Sequence, residues 1–205
     1  MAIPKILQIL VEHFQRFPGI GPRQARRFAY ALLDTETESV RELARALHEL
    51  KDAVIRCQEC WRACLAASDT VCASCKKASA PYSVLVAEKD QDCEAVEKSG
   101  AYHGLYHVLG GLIDPLKKNS LTEARIKKLY SRAKTFTQSG TCEVIIALAA
   151  NVEGDSTALY IERVLEPFIK TGKVTFTRLG RGLSTGSELE YADPQTLCHA
   201  LENRK

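Results

Sequence analysis

Apolar residues recur at helical spacing through the first quarter of the chain. They lie three or four positions apart over residues 6–17, 25–33 and 40–54, as in helices that bury one face. Residues 18–22, Pro-Gly-Ile-Gly-Pro, interrupt this pattern, and Gly and Pro favour tight turns. The pattern therefore predicts three helices, of which the first two form a hairpin.

From residue 82 onward the pattern changes to short, continuous apolar runs. Residues 83–87, 143–149 and 173–179 have the length and composition of buried strands. Helical periodicity separates these runs, over residues 123–136 and 157–170. The alternation predicts an open α/β domain with a mostly parallel sheet.

Three further segments have weaker patterns. Residues 102–111 combine glycines with aromatic and aliphatic side chains and predict a packed turn. Residues 180–193 are polar and predict a loop, and residues 194–205 predict a short closing helix.

Composition narrows the class of protein. A chain of 205 residues that is 45% hydrophobic and 26% charged can bury a core, and it contains no run of about 20 apolar residues. Since its first residues form an amphipathic pattern without a secretory cleavage signal, we expect a cytoplasmic protein that does not enter a membrane. The net charge is only +3, so any affinity for nucleic acid must come from local clusters of basic residues.

Cysteines supply the most specific spacing in the chain. Cys57-x2-Cys60 and Cys72-x2-Cys75 place four thiols at the spacing of a closed tetrahedral zinc site, which favours one structural Zn²⁺ per chain. Cys64 is a possible substitute ligand in the first pair, although its spacing is wrong. A disulfide scaffold is the weaker alternative, because such scaffolds are usually short secreted chains. The cysteines expected to be small buried hydrophobes are Cys93, Cys142 and Cys198.

The predicted hairpin turn carries the main candidate for DNA binding. Gly19 and Gly21 permit a close backbone approach, so amides at the start of the second helix can point at a phosphate. Arg23 and Arg27 follow, and no acidic residue occurs between residues 12 and 34. The alternative interpretation is an ordinary tight turn beside a solvated basic face.

Acidic and amide side chains follow the first two predicted strands of the sheet. They are Glu88, Asp90, Asp92, Asn151, Glu153 and Asp155. Open α/β domains place their sites at this edge, where carboxylates can hold Mg²⁺ or form an acidic docking surface for a basic partner. Two solvated loops are the third possibility.

The histidines near the middle of the chain are weaker candidates. His103 and His107, with Cys93 nearby in sequence, are a possible nucleophile and base pair, but no third orienting group is visible. We therefore expect a packing role for the histidines. Tyr102 and Tyr106 are expected in the core or at subunit contacts rather than stacked on bases.

Several motifs, taken in their order along the chain, resemble those of the RecR family and together cover nearly the whole chain. They are Phe-Pro-Gly-Ile-Gly-Pro at 17–22, the two cysteine pairs, Gly-Leu-Tyr-His-Val-Leu-Gly-Gly at 104–111, Glu-Gly at 153–154 with Thr-Ala-Leu-Tyr at 157–160, Arg-Gly-Leu at 181–183 and Leu-Glu-Tyr-Ala-Asp at 189–193. The resemblance implies a multi-part α+β chain in four regions. These are a helix-hairpin-helix region at 1–53, a four-cysteine zinc finger at 54–78, an α/β Toprim domain at 79–175 and a C-terminal element at 176–205 that completes the sheet and the subunit contacts.

The resemblance also implies a function. Members of this family form a ring, a tetramer, that can encircle DNA, and they act with RecO or RecF to help RecA replace single-strand-binding protein at gaps. It implies sequence-independent binding of single- and double-stranded DNA, and a bacterial, nucleoid-associated location in the cytoplasm.

The same resemblance implies roles for individual residues that match the family's motifs by position. Arg23 and Arg27 match basic hairpin residues that face DNA. Glu88 matches the Toprim glutamate, but Asn151 stands where catalytic members have an aspartate, which argues against metal catalysis. The acids left for an acidic patch that binds a partner are Glu88, Asp92 and Glu153. Lys89 weakens this patch.

We thus expect a mediator with no catalytic residues. A Mg²⁺-dependent Toprim enzyme acting on nucleic acid is the first alternative, and a zinc-stabilised adaptor that binds proteins but not DNA is the second.

Overall fold

The computed structural model describes residues 3–66, 69–114, 120–180, 182–183, 186, 188–202 and 204. The chain divides into two compact units, Met1–Val54 and Ile55–Lys205. Among the described residues, no helix is both long enough and apolar enough to cross a membrane.

The first unit is helical. Its helices are α1 (Lys5–Phe14), α2 (Pro22–Asp34) and α3 (Thr37–Ala53). Leu7 of α1 is buried together with Ala25 and Ala29 of α2, and the two alanines let the helices approach closely. Phe14 and Phe28 add an edge-to-face contact with ring centroids 5.8 Å apart. The first two helices thus form the predicted hairpin.

The second unit begins with a small cysteine-rich finger and continues into a parallel sheet. The finger contains β1 (Val54–Arg56, whose first residue belongs to the first unit), β2 (Ala63–Leu65) and α4 (Ala73–Lys76). The sheet strands are β3 (Tyr82–Ala87), β4 (Leu105–Val108), β5 (Cys142–Ala147) and β6 (Val174–Arg178), in the order β4-β3-β5-β6, all parallel. The helices between them are α5 (Asp90–Ser99), α6 (Ser120–Ser139) and α7 (Val152–Ile169).

Both faces of the central strand β3 are covered, which explains its continuous apolar run. Val84 and Val86 of β3 belong to a core cluster that contains Ile126 of α6 and Ile161 of α7. The alternate positions of the same strand, including Leu85, belong to a second cluster with α5 and the finger. Pleating sends successive side chains to opposite faces, so one strand serves two cores.

The structure confirms the predicted fold class and corrects one element. Residues 105–108, inside the predicted packed turn, form the edge strand β4, which pairs with β3 from Leu105 opposite Val84 to Val108 opposite Ala87. The turn prediction failed because the strand is only four residues long and includes a histidine, so it lacks the apolar run of a buried strand.

The C-terminal segment contains a short 3-10 helix at Leu189–Tyr191 and α8 (Pro194–Glu202). Residues 181, 184–185, 187, 203 and 205 lie outside the described residues, so parts of the predicted loop and closing helix are not tested. Cys93 and Cys142 are buried, as predicted. The prediction for Cys198 was wrong, because this thiol lies on the exposed side of α8.

Candidate metal centre and nucleic-acid interface

The hairpin turn has the backbone geometry that its glycines predict. Gly19 has a φ of 78°, in the left-handed region that favours glycine. Gly21 is the extended residue that precedes α2, and Pro22 occupies the first helical position, where a missing N–H costs nothing. No side chain caps this helix and its first turn contains no acid, so its amide end carries uncompensated positive potential.

The basic residues of the hairpin are exposed. Arg23 and Arg27 both lie on the surface of α2, where the Arg27 Nη1 donates to Gln24 Oε1 at 3.4 Å. The sequence between Glu12 and Asp34 contains no carboxylate. The structure therefore brings together a positive helix end and two exposed guanidinium groups, which is an arrangement suited to phosphate oxygens.

The finger brings the four predicted cysteines together. The Sγ atoms of Cys57, Cys60, Cys72 and Cys75 all lie within 4.8 Å of one another. The first pair sits on the turn between β1 and β2, where the Cys57 N–H donates to Arg62 O at 3.0 Å, and the second pair begins α4. Cys64 lies outside this set.

The cluster has the donors that stabilise metal-bound thiolates. The Cys72 N–H donates to Cys57 Sγ at 3.3 Å. Burial acts to raise the pKa of Cys57, but backbone amides, that of Cys72 first, lower it to about 7, whereas burial raises the pKa of Cys72 to about 11. A bound cation would displace the protons of these thiols. The four sulfurs thus fit a closed, structural metal site.

The finger is attached to the sheet by hydrogen bonds and charges. The Val108 N–H, at the end of β4, donates to Cys60 O at 2.8 Å, which extends the sheet edge into the finger. Arg62 pairs with Glu97 of α5 through two bonds of 2.6 and 2.9 Å. Two further ion pairs between the finger and the helices of the second unit join Arg56 to Asp90 of α5 and Glu59 to Lys128 of α6.

His107 has a structural role, as the sequence favoured. It is fully buried on β4, where its Nε2 lies 2.9 Å from Arg125 O and its Nδ1 lies 3.1 Å from Arg132 Nη1. A carbonyl only accepts and a guanidinium only donates, so Nε2 carries the proton and Nδ1 accepts. Burial, and then the Arg132 charge, lower the pKa of His107 to about 3. Neither ring nitrogen is left for nucleophilic or base chemistry.

The two tyrosines belong to the core, as expected. The Tyr102 hydroxyl donates to Leu105 O at 2.8 Å, and its ring meets that of Tyr106 edge to face at 5.3 Å. The Tyr106 side chain is buried under the Arg62 guanidinium, 4.7 Å from the ring centroid. Neither ring is free to stack on a base.

The acidic side chains at the carboxyl edge of the sheet each have a different environment. Glu88, just after β3, pairs with Lys89 at 3.1 Å. Asp92 Oδ2 accepts from the Lys89 N–H at 2.9 Å at the start of α5. Glu153 is exposed in the first turn of α7, and Asn151 Oδ1 caps that helix by accepting from the Gly154 N–H at 2.7 Å.

These acids do not converge as a metal site. Within the described part of the chain, one group of three or more His, Cys, Asp or Glu side chains has its ligand atoms close together, and that group is the four cysteines. The three carboxylates predicted to form an acidic patch are therefore distributed over the ends of β3, α5 and α7.

Family models match three parts of the chain. Residues 7–51 match a model described as RecR, helix-hairpin-helix, residues 83–179 match one described as Toprim domain, and residues 182–205 match one described as RecR, C-terminal. Together with the four-cysteine cluster, these matches define a class of protein: a recombination-repair protein that combines a helix-hairpin-helix with a Toprim domain.

Curated relatives lead to the family itself. Recombination protein RecR of Prochlorococcus marinus subsp. pastoris is 39% identical over 201 residues, which are 98% of this chain and 96% of the relative. The proteins of the same name from Cutibacterium acnes and Desulforudis audaxviator are each 40% identical, over 97% and 96% of this chain and 94% of each relative. The chain belongs to the RecR family of recombination proteins.

Proposed function

We propose that this chain is a DNA-binding mediator of recombination repair and not an enzyme. The observation that carries the proposal is the hairpin, where the uncapped amide end of α2 and two exposed guanidinium groups, Arg23 and Arg27, form one basic surface. Such a surface contacts phosphates, so binding would be nearly indifferent to base sequence and would include single- and double-stranded DNA. Gly19 and Gly21 would allow the backbone to approach the strand.

Assembly is the second part of the proposal. One hairpin offers few phosphate contacts, whereas several copies held around one DNA molecule multiply them through effective concentration. A homotetrameric ring is the arrangement we propose, in a bacterial cytoplasm and close to the nucleoid. RecO or RecF would be its protein partner in gap repair and in loading RecA.

The four-cysteine cluster would hold one structural Zn²⁺ per chain through Cys57, Cys60, Cys72 and Cys75. Tetrahedral coordination by four thiolates leaves no open position for substrate or water, so the ion would contribute folding free energy rather than catalysis. The finger has few buried apolar residues of its own, which makes it dependent on such a cross-link.

The Toprim edge would be a docking surface rather than a catalytic site. Glu88, Asp92 and Glu153 are separated carboxylates that offer negative charge to a basic partner such as RecO. The Asn151 amide oxygen accepts the hydrogen bond that caps α7, and the neutral side chain offers no charge to a cation. These two observations disfavour the Mg²⁺-dependent alternative.

We also propose the four functional regions 1–53, 54–78, 79–175 and 176–205. The finger region supplies the metal centre, and the last region would complete the sheet and the contacts between subunits.

The experiment is a salt titration of DNA binding, with subunit mass measured on the same samples. The comparison is between the wild type and the double variant Arg23→Ala/Arg27→Ala. Each lost phosphate contact on duplex DNA should reduce the slope of log K against log salt by about 0.9. The double variant should therefore lose up to about 2 units of slope for each hairpin in contact with DNA.

Arg41→Ala/Arg45→Ala is the matched control. It also removes two exposed arginines from the first unit, but these already pair with Glu38 on α3. The control should keep the wild-type slope. Equal slopes for the wild type and the hairpin variant, at unchanged subunit mass, would refute the hairpin as the DNA site and favour the adaptor alternative.

A further inference from the structure

A buried arginine of the Toprim domain contacts the metal cluster of the finger. Arg132 lies on α6 and is only 4% exposed. Its Nη2 lies 3.5 Å from Cys75 Sγ. Its Nη1 donates to Tyr106 O at 3.0 Å and to His107 Nδ1 at 3.1 Å, both on β4. The guanidinium group therefore joins α6, the edge strand and the cluster at one point.

The charge of the cluster explains why a cation belongs there. One divalent cation and four thiolates together carry a net charge of −2, and burying uncompensated charge is costly. A guanidinium group beside one sulfur offsets part of that charge and forms a hydrogen bond of the stronger, charge-assisted kind. Arg62, a cation of the finger itself, is already paired with Glu97 through two hydrogen bonds.

The surroundings of Arg132 fix its direction. His107 accepts through Nδ1 because its Nε2 proton is committed to Arg125 O at 2.9 Å. The Phe136 ring lies 5.6 Å from the guanidinium carbon and covers its face. With Nη1 held by β4, Nη2 is held toward Cys75. The contact is thus built by three elements and is not an incidental approach of a flexible side chain.

We propose that Arg132 is a positioning residue of the metal centre, which orients and partly neutralises the Cys75 thiolate and couples metal binding to strand β4. The proposal rests on the proposed metal site. When the ion is bound, Cys75 is a thiolate and the bond to Arg132 is charge-assisted. Without the bound ion the guanidinium group stays hydrogen-bonded to β4 but no longer faces a metal-bound thiolate.

Arg132→Gln is the test variant, and Lys128→Gln is its matched control. Lys128 lies on the same helix and pairs with Glu59 of the finger at 2.6 Å, so its replacement removes an ion pair at the same interface without touching a sulfur. Both proteins and the wild type would be loaded with Co²⁺, whose thiolate charge-transfer absorption reports the electron density on sulfur. Metal affinity would be measured by competition with a chelator.

All three proteins should bind one metal ion per chain. Arg132→Gln should bind it about 10- to 100-fold more weakly, as expected for a group that supports a ligand. Its charge-transfer band should shift to lower energy, because a thiolate without the hydrogen bond gives up electron density more easily. Lys128→Gln should keep the wild-type band and affinity. An unshifted band in Arg132→Gln, or equal weakening in both variants, overturns the proposal.

A measurement on the unmodified protein covers the case in which Arg132→Gln does not fold. In the zinc-loaded wild type, a thiolate-specific alkylating agent should modify Cys72 before Cys75, because both thiols are half-buried and only Cys75 receives the Arg132 bond. Faster modification of Cys75 overturns the proposal. A wild type that binds neither Zn²⁺ nor Co²⁺ overturns the metal site itself, which is a separate and distinguishable result.

Discussion

Lowering the pH should reduce the free energy of unfolding of the second unit, because His107 is buried there in its neutral form. In the folded protein the pKa of His107 is lowered from 6.5 to about 3, because burial and the Arg132 charge disfavour the imidazolium form. In the unfolded chain the same side chain takes up a proton near its ordinary pKa of 6.5. Between these two values the unfolded state binds more protons than the folded state, so stability is lost as the pH falls.

The size of the effect follows from the two pKa values. At pH 7.5 the unfolded histidine is mostly neutral, and its protonation costs less than about 0.1 kcal/mol of stability. At pH 5.5 it is mostly protonated while the folded one is neutral, and the loss reaches about 1.4 kcal/mol. The loss should grow by about 1.4 kcal/mol for each further pH unit down to the folded pKa.

Urea denaturation of the zinc-loaded protein at several pH values measures this slope. The chain contains one tryptophan, Trp61, which lies in the finger under the Arg125 guanidinium at 4.8 Å, so its fluorescence follows unfolding of the second unit. His107→Gln is the comparison, since its amide can accept from Arg132 and donate to Arg125 O but does not titrate. Protonation of the cysteines affects both proteins alike and cancels in the difference. Parallel pH profiles for the two proteins would refute the assignment of a buried, neutral His107.

Two further predictions concern packing around α7, and one concerns the metal. Gly154→Ala should destabilise the second unit by more than about 2 kcal/mol in urea, because a Cβ would lie 1.9 Å from Ala149 O; Gly180→Ala, with open space around it, should change little. Ile161→Ala should cost about 2–5 kcal/mol because it leaves a cavity in the core, whereas Leu159→Ala on the exposed side should cost under about 0.5 kcal/mol. A strong chelator should lower the thermal midpoint seen by tryptophan fluorescence, and stoichiometric Zn²⁺ should restore it. An unchanged midpoint after verified metal removal, or tolerance of Gly154→Ala, would contradict these arguments.

The sequence was informative where local pattern decides structure. Strand β3 is predictable because both of its faces are covered, so its side chains from Val84 to Ala87 are all apolar. Strand β5 is predictable from its apolar run from Val144 to Ala147. The four cysteines are predictable because chelation fixes their spacing. The exposed basic hairpin is visible as a stretch without acids.

The sequence was uninformative where contacts between residues far apart in the chain determine the structure. His107 makes β4 look like a turn, and what permits a histidine in that buried strand is Arg132, 25 residues later in the chain. The bond between Arg132 and Cys75 joins residues 57 positions apart, and no local pattern indicates it. The prediction that Cys198 is buried was wrong for a different reason. An amphipathic pattern does not say which side of a short terminal helix is covered.

Asn151 shows how local structure and function separate at one position. Its amide oxygen begins α7 by accepting from the Gly154 N–H, and an aspartate would cap the helix about equally well. Helix stability therefore does not account for the neutral side chain. What the amide changes is charge: it removes one carboxylate from the edge of the sheet where Glu88 and Glu153 remain. A site for Mg²⁺ needs that charge, whereas a docking surface for a basic partner tolerates its loss, since such a surface requires no convergence of ligands on one ion.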